Sequence, residues 1–119
     1  MMSDGYFLGV DVGSASVRAG LYSAQGERLS FATRPISQFH ASNARVEQSS
    51  AEIWQQVCAV VREAVDSSGI SPDAICSIGF DATCSLVALD AEGNGLSVSP
   101  DSPASQDIIM WMDHRAHEE

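Results

Sequence analysis

Hydrophobic positions along the chain fall into short blocks separated by turn residues, and the spacing inside each block predicts its backbone. Tyr6 to Val12 (YFLGVDV) is apolar but for one acid and stops at Gly13-Ser14, which predicts a buried first strand ending in a tight turn. Ser16 to Ser23 alternates as a returning strand, Gln25-Gly26 marks a second turn, and Arg28 to Ile36 completes a three-stranded meander. Ser37 to Gln48 is polar without periodicity and predicts a connection. Ser49-x-x-Glu52 then writes a capping box, in which the serine oxygen takes a free backbone N–H and the glutamate reaches back. Ile53, Trp54, Val57, Val61, Ala64 and Val65 follow at three- and four-residue spacing, one apolar helical face that Gly69 and Pro72 end.

Ile75 to Phe80 predicts a second buried strand. Leu86 to Leu89 leads into the turn residues Asp90 to Gly95, a hairpin signature, and Ser97 to Gln106 reads as a Ser/Pro-rich loop. Ile108 to Met112 predicts another short strand, after which HRAHEE begins to look helical. Strands, a helix and further strands make an α/β or α+β sheet protein with mixed strand directions. At 119 residues the chain is long enough for one core, and its ending at the first turn of a prospective helix suggests a piece of a longer protein.

Charge narrows the chemistry. Sixteen acids face six bases for a net charge of −10, and every base is an arginine. Without lysine there is no P-loop, no kinase strand lysine and no Schiff-base chemistry. An acidic surface repels polyanions, so nucleic acid is disfavoured. No apolar run approaches the roughly 18–20 residues of a membrane span, and no basic leader precedes Asp4, which gives the expectation of a cytosolic protein with no membrane role. The three cysteines have no CxxC pair, and Cys58 and Cys76 are expected as buried small hydrophobes.

Three stretches carry candidate chemistry. In GVDVGSASVR, Asp11 is a carboxylate inside an apolar strand, a costly placement without a cation or a partner. Magnesium beside a phosphate would supply one: Gly13 lets backbone approach an anion, Ser14 and Ser16 add hydroxyl donors, and Arg18 neutralises charge. Spacing alone equally allows Asp11 to bond its own turn. Beyond the second buried strand, Asp81, Thr83, Cys84 and Ser85 are small polar groups at a strand end, where open sheets bind ligands; taken alone, an ordinary turn is the plainer reading. Trp111, Asp113 and Arg115 combine a ring face with a carboxylate and a guanidinium, a common way to hold a sugar, although core, helix cap and solvated charge account for them as well. The scattered histidines, His40, His114 and His117, do not make a metal site.

The succession GVDVGSASVRAGLYSAQG, VEQSSAEIWQQV, IGFDATCSLVALDAEGNG, IIMWMDHRA resembles, from Leu8 to Ala116, the amino-terminal region of FGGY-family carbohydrate kinases, particularly their ribulokinase-like branch. The resemblance implies a ribonuclease-H-like fold of the actin, Hsp70 and hexokinase type, here the amino-terminal part of the first of two domains that close over ATP, magnesium and a sugar. Asp11, Gly13, Ser14, Ser16 and Arg18 stand at the positions of that family's first phosphate loop, which implies that Asp11 holds magnesium through water. The same likeness assigns the sugar to Asp81, Thr83, Cys84, Ser85, Trp111, Asp113 and Arg115. Where glycerol kinases carry Arg-Glu and xylulokinases Met-His, this chain has Cys84-Ser85, which favours a five-carbon ketose such as ribulose or a polyol over glycerol. The catalytic base, the second phosphate loop and the adenine site are expected beyond Glu119, with neither Asp81 nor Asp113 expected to serve as base. The 119 residues alone are therefore expected to fold, to transfer no phosphate and to self-associate through apolar surface, a homodimer being one form. A sugar- or nucleotide-binding regulatory module without catalysis is the alternative.

Overall fold

A computed structural model describes residues 5–117, which form in chain order β1 (Tyr6–Val12), β2 (Ser16–Ser23), β3 (Arg28–Pro35), β4 (Phe39–His40), β5 (Val46–Gln48), α1 (Ser50–Ser68), a 3-10 turn (Pro72–Ala74), β6 (Ile75–Ala82), β7 (Leu86–Val87) and β8 (Ile108–Ile109). Where length suggests one core, these residues gather into two compact units. One holds the residues up to Ile36 with Gln55–Ala82, the other Ser37–Trp54 with the residues from Thr83 onward.

The first unit is a four-stranded sheet in the order β3-β2-β1-β6. The predicted meander is present: β1 pairs antiparallel with β2 and β2 with β3, while β6 returns parallel to β1. Alternation sends Leu8, Val10, Val17, Ala19, Leu21 and Ala32 to one buried face. On that side Ser30 Oγ donates to the Ala64 carbonyl of α1, whose Val57, Val60 and Ala64 are buried. Each fully buried aliphatic side chain contributes roughly 1.5–3 kcal/mol. The apolar face of α1 is narrower than its spacing predicts, for Trp54 is 64% exposed and Val61 and Val65 are half-buried.

Strand β6 lies where the sequence places it but is not buried: Ile78 and Phe80 are exposed, and so is Cys76. Among the described residues it is an edge strand, hydrogen-bonded only to β1. Cys58 is half-buried.

The second unit carries a sheet of very short antiparallel strands in the order β4-β5-β8-β7. Strands β4 and β5 replace the predicted connection between Ser37 and Gln48; two or three residues are too few to show a period. The hairpin after Leu86 is shorter than predicted, with β7 ending at Val87 and Leu89 bridging Gly95 across the turn. Asp90 Oδ1 accepts the Glu92 and Asn94 N–H groups at 2.9 and 2.8 Å and shapes that turn. Strand β8 likewise stops at Ile109, because Met110 to Asp113 turns, with Asp113 N–H donating to the Met110 carbonyl at 2.9 Å. His114 to His117 forms another turn rather than a helix, and the last two residues lie outside the described range. At the start of α1, Ser49 Oγ accepts the Glu52 N–H at 3.3 Å as predicted. The glutamate does not complete the box, because Glu52 Oε1 instead accepts both the N–H and the hydroxyl of Ser37 at 2.9 Å. Among the described residues no helix is long and apolar enough to cross a membrane.

Candidate functional site

Strands β1 and β2 join through Gly13-Ser14-Ala15, a hairpin closed by the Gly13 N–H donating to the Ser16 carbonyl at 2.9 Å. Its register sets Asp11 opposite Arg18. The two meet through Arg18 Nη1 and Asp11 Oδ2 at 3.1 Å, and Arg18 Nε donates to Ser16 Oγ at 3.2 Å. Accepting that bond leaves the Ser16 hydroxyl its own proton to donate. Glycine at position 13 eases a close approach, since a Cβ there would stand 2.5 Å from Arg18 Nη2, the movable end of its side chain, and 3.1 Å from the Ser16 carbonyl oxygen. Ser14 is half-buried in the turn.

The parallel register with β6 puts Asp81 beside Asp11, so one row across three strands reads Arg18, Asp11, Asp81. Two residues along, the next row on the same face reads Gly20, Gly9, Gly79. Three glycines abreast give the sheet a floor without side chains, onto which Tyr22 folds: a Cβ at Gly20 would lie 2.8 Å from its ring. The result is an open groove of about 620 Å³ with glycines and Tyr22 along it and Asp11, Arg18 and Asp81 at one end. The oxygens here are hard donors of the kind magnesium prefers, with one or two carboxylates completed by water and phosphate. Among the described residues no three His, Cys, Asp or Glu side chains converge, so an all-protein metal cage is absent from them and only that shared mode fits.

In the second unit, Thr83 Oγ1 and Ser85 Oγ stand 3.3 Å apart, with the exposed Cys84 between them in sequence. Ser85 Oγ accepts the Trp111 N–H at 3.1 Å, which ties two of the sequence-predicted sugar stretches together. Trp111 sits on the Met110–Asp113 turn with its side chain exposed.

Asp113 and Arg115 are held differently from the rest. Asp113 Oδ1 accepts the N–H and Nε of Arg115, both at 2.9 Å, while Oδ2 accepts the Val46 N–H at 2.7 Å and Arg115 Nη2 at 2.6 Å. The guanidinium also donates through Nη1 to the Val98 carbonyl and Ser99 Oγ, both at 3.0 Å, and through Nη2 to Glu47 Oε2 at 2.9 Å. Its five N–H groups are thus all taken by protein, as are the lone pairs of Asp113, and neither side chain keeps a hydrogen-bonding position for a ligand.

Glu47 is the residue that sequence reasoning missed. It is almost fully buried in β5 and accepts the hydroxyls of Ser99 and, at 2.7 Å, Ser102 besides Arg115. Burial pushes its carboxyl up, but the bonds from Ser99, Ser102 and Arg115 outweigh it, and the pKa lies below the ordinary value of 4.5. Bonding from Arg115 brings Asp113 from 3.8 down to about 2, against burial, with help from the Arg115 and Val46 N–H groups. Asp113 in turn raises Arg115, with Glu47 adding to the effect. One acid in the triplet VEQ carries no spacing signal; the only hint is a charge between Val46 and Gln48, two residues before the helix-capping Ser49.

Residues 6–119 match the profile of the FGGY family of carbohydrate kinases, N-terminal domain. The chain is 45% identical over 116 residues to a D-ribulokinase of Saccharomyces cerevisiae, covering 96% of this chain and 16% of the relative. It is 44% identical over 111 residues to an FGGY carbohydrate kinase domain-containing protein of Homo sapiens, covering 93% and 20% respectively. The fold matches a crystal structure of gluconate kinase from Lactobacillus acidophilus with a TM-score of 0.81 at 20% identity, over 98% of this chain and 21% of that one. The chain thus spans about a fifth of the length of the curated relatives it matches.

Proposed function

Because the chain belongs to the FGGY family of carbohydrate kinases, matching its N-terminal domain, we propose that it serves ATP-dependent phosphorylation of a five-carbon ketose such as ribulose. The observation that carries this reading is the hairpin itself: an Asp11–Arg18 pair in register, its guanidinium lying against Gly13, at one end of a glycine-floored groove. Ribulose is supported by the 45% identity to a D-ribulokinase and by the small neutral Cys84-Ser85 pair.

In this reading Asp11, with Asp81 beside it, holds magnesium through water, and Ser14, Ser16 and the backbone around Gly13 meet phosphate oxygens. The ion supplies charge neutralisation at the phosphates when bound. Arg18 releases Asp11 to the cation and turns its guanidinium to phosphate, an exchange that an exposed single contact permits. Thr83, Cys84 and Ser85 offer hydroxyl and thiol contacts to the sugar, and Trp111 offers its ring face. These residues bind and align, and a general base is outside the set, so the 119 residues alone transfer no phosphate. The exposed thiols of Cys76 and Cys84 fit the reducing cytosol, which completes the proposal.

The test is a chimera in which these 119 residues replace the matching region of the yeast D-ribulokinase, assayed for ADP release with ATP-Mg and D-ribulose, L-ribulose, D-xylulose, ribitol or glycerol. Selective turnover of one five-carbon substrate, abolished by Asp11→Ala, is expected. A folded chimera silent on the whole panel favours a binding or regulatory module instead.

A further inference from the structure

We propose that Glu47 is a positioning residue, bolting the Trp111 turn to β5 so that the indole is presented to the sugar in one orientation. The proposal rests on the sugar role given to Trp111 above.

The bolt is built from both sides of one residue. Val46 accepts the Met110 N–H at 3.0 Å through its carbonyl and gives its own N–H to Asp113 Oδ2 at 2.7 Å, so the turn that carries Trp111 is gripped at its first and last residues. Backbone grip alone leaves the turn dependent on the orientation of the Asp113 carboxylate. That orientation is set by Arg115, which holds both Asp113 oxygens, and Arg115 is in turn held by Glu47 from the next position on β5. Ser99 and Ser102, from the loop before β8, fix the Glu47 carboxylate itself. Every polar atom in this chain of contacts has a partner, and buried networks of that kind enforce a single arrangement. The only member presented outward is Trp111, 57% exposed. Ser85 clips the same turn from the other sugar stretch through the Trp111 N–H. A cluster serving stability alone has no need of so many charge-assisted bonds behind a turn that carries an exposed indole, since apolar packing of the same volume serves as well or better.

Trp54→Phe leaves Trp111 as the single tryptophan of the 119-residue chain, which gives a direct readout. In that background Glu47→Gln is compared with Glu47 for far-UV circular dichroism, iodide quenching of Trp111 without sugar, and the midpoint of a D-ribulose titration. The expected result is an unchanged helix signal, a changed quenching constant and a ribulose midpoint weakened about tenfold, the size of one lost charge-assisted hydrogen bond. Val60→Ala, which loosens a different part of the chain, should leave Trp111 quenching unaltered. A folded Glu47→Gln chain with the quenching of its parent overturns the proposal, whatever ribulose does. A quenching change in a parent that shows no ribulose response upholds the bolt and overturns the sugar reading beneath it. Should Glu47→Gln lose its helix signal, Ser102→Ala removes a single bond to the same carboxylate; altered quenching then supports the proposal and unaltered quenching overturns it.

Discussion

Two of the arginine–aspartate pairs in the chain, Arg18–Asp11 and Arg115–Asp113, lie seven and two residues apart in sequence and have opposite characters. Arg18 and Asp11 face each other across a hairpin with 40% and 46% of their side chains exposed, joined by one contact at 3.1 Å. Arg115 and Asp113 share three bonds, add Glu47, and leave only 23%, 1% and 2% of the respective side chains exposed. An exposed single contact is weak and exchanges partners readily, which suits a group that must meet an incoming cation or anion. A desolvated, saturated cluster cannot exchange without leaving a buried charge unpaired. In the proposed reading, residue type does not separate a ligand contact from a support in this chain; the count of unfilled hydrogen-bonding positions does.

The largest effect expected of any single change is at the saturated pair. Arg115→Ala strands Glu47 and Asp113, two buried carboxylates, and should cost about 3–5 kcal/mol, a large part of the stability of a small domain. Urea unfolding followed by circular dichroism measures it. A loss below about 1 kcal/mol would show that the cluster is no more tightly held than the hairpin pair and would erase the contrast.

Acid probes the same contrast without mutation. Asp113 is about 2 in the folded chain against 3.8, and Glu47 also lies below its ordinary 4.5. Groups depressed on folding stabilise fully above their unfolded values and lose that contribution as pH falls through the folded ones, so stability should hold at pH 6 and fall between about pH 4 and 2. Moving Asp113 from 3.8 to about 2 corresponds to roughly 2 kcal/mol. Urea midpoints across that range should decline steeply in the parent and less steeply in Asp113→Asn, which starts lower because it has already lost the charge.

How far the sequence could be read follows the same division. Strands β1 to β3 and α1 lie at their predicted positions because alternation, Gly-containing turns and the Ser49 cap act over neighbouring residues. For β6 the position was legible and the burial was not: an apolar run looks alike whether one or both of its edges are paired, and Ile78, Phe80 and Cys76 prove exposed. Strands β4 and β5 were invisible because two or three residues show no period, and β5 takes its second partner, β8, from far along the chain. In the candidate site, Asp11, Gly13 and Arg18 were legible as a local motif. The saturation of Asp113 and Arg115 was not, because it depends on Val46, Glu47 and Ser99, which no spacing links to them.

A smaller effect is expected at Gly13. In Gly13→Ala the new Cβ meets the end of the Arg18 side chain, which is flexible and can move, and the Ser16 carbonyl at 3.1 Å, which is backbone and gives little. A cost of about 1 kcal/mol is expected, the common size for a surface substitution that disturbs a tight turn. The displacement should also part Arg18 from Asp11. In the chimera this variant should keep its fold and raise the KM for ATP-Mg; an unchanged KM would mean that the Arg18 position does not matter to nucleotide.

The smallest effect is the coupling between Arg18 and Asp11 themselves. A double-mutant cycle of Asp11→Asn and Arg18→Gln in the isolated chain should return less than about 1 kcal/mol, as exposed ion pairs do. At 1 M salt, where the screening length is about 3 Å, even that coupling should largely vanish. The matching cycle of Asp113→Asn and Arg115→Gln should keep most of its coupling at the same salt, since little water or salt reaches side chains that are 1% and 23% exposed. Equal salt sensitivity in the two cycles would remove the distinction between a pair poised to exchange and a pair fixed in place. With it would go the reason for assigning phosphate and magnesium to the hairpin and support to the buried cluster.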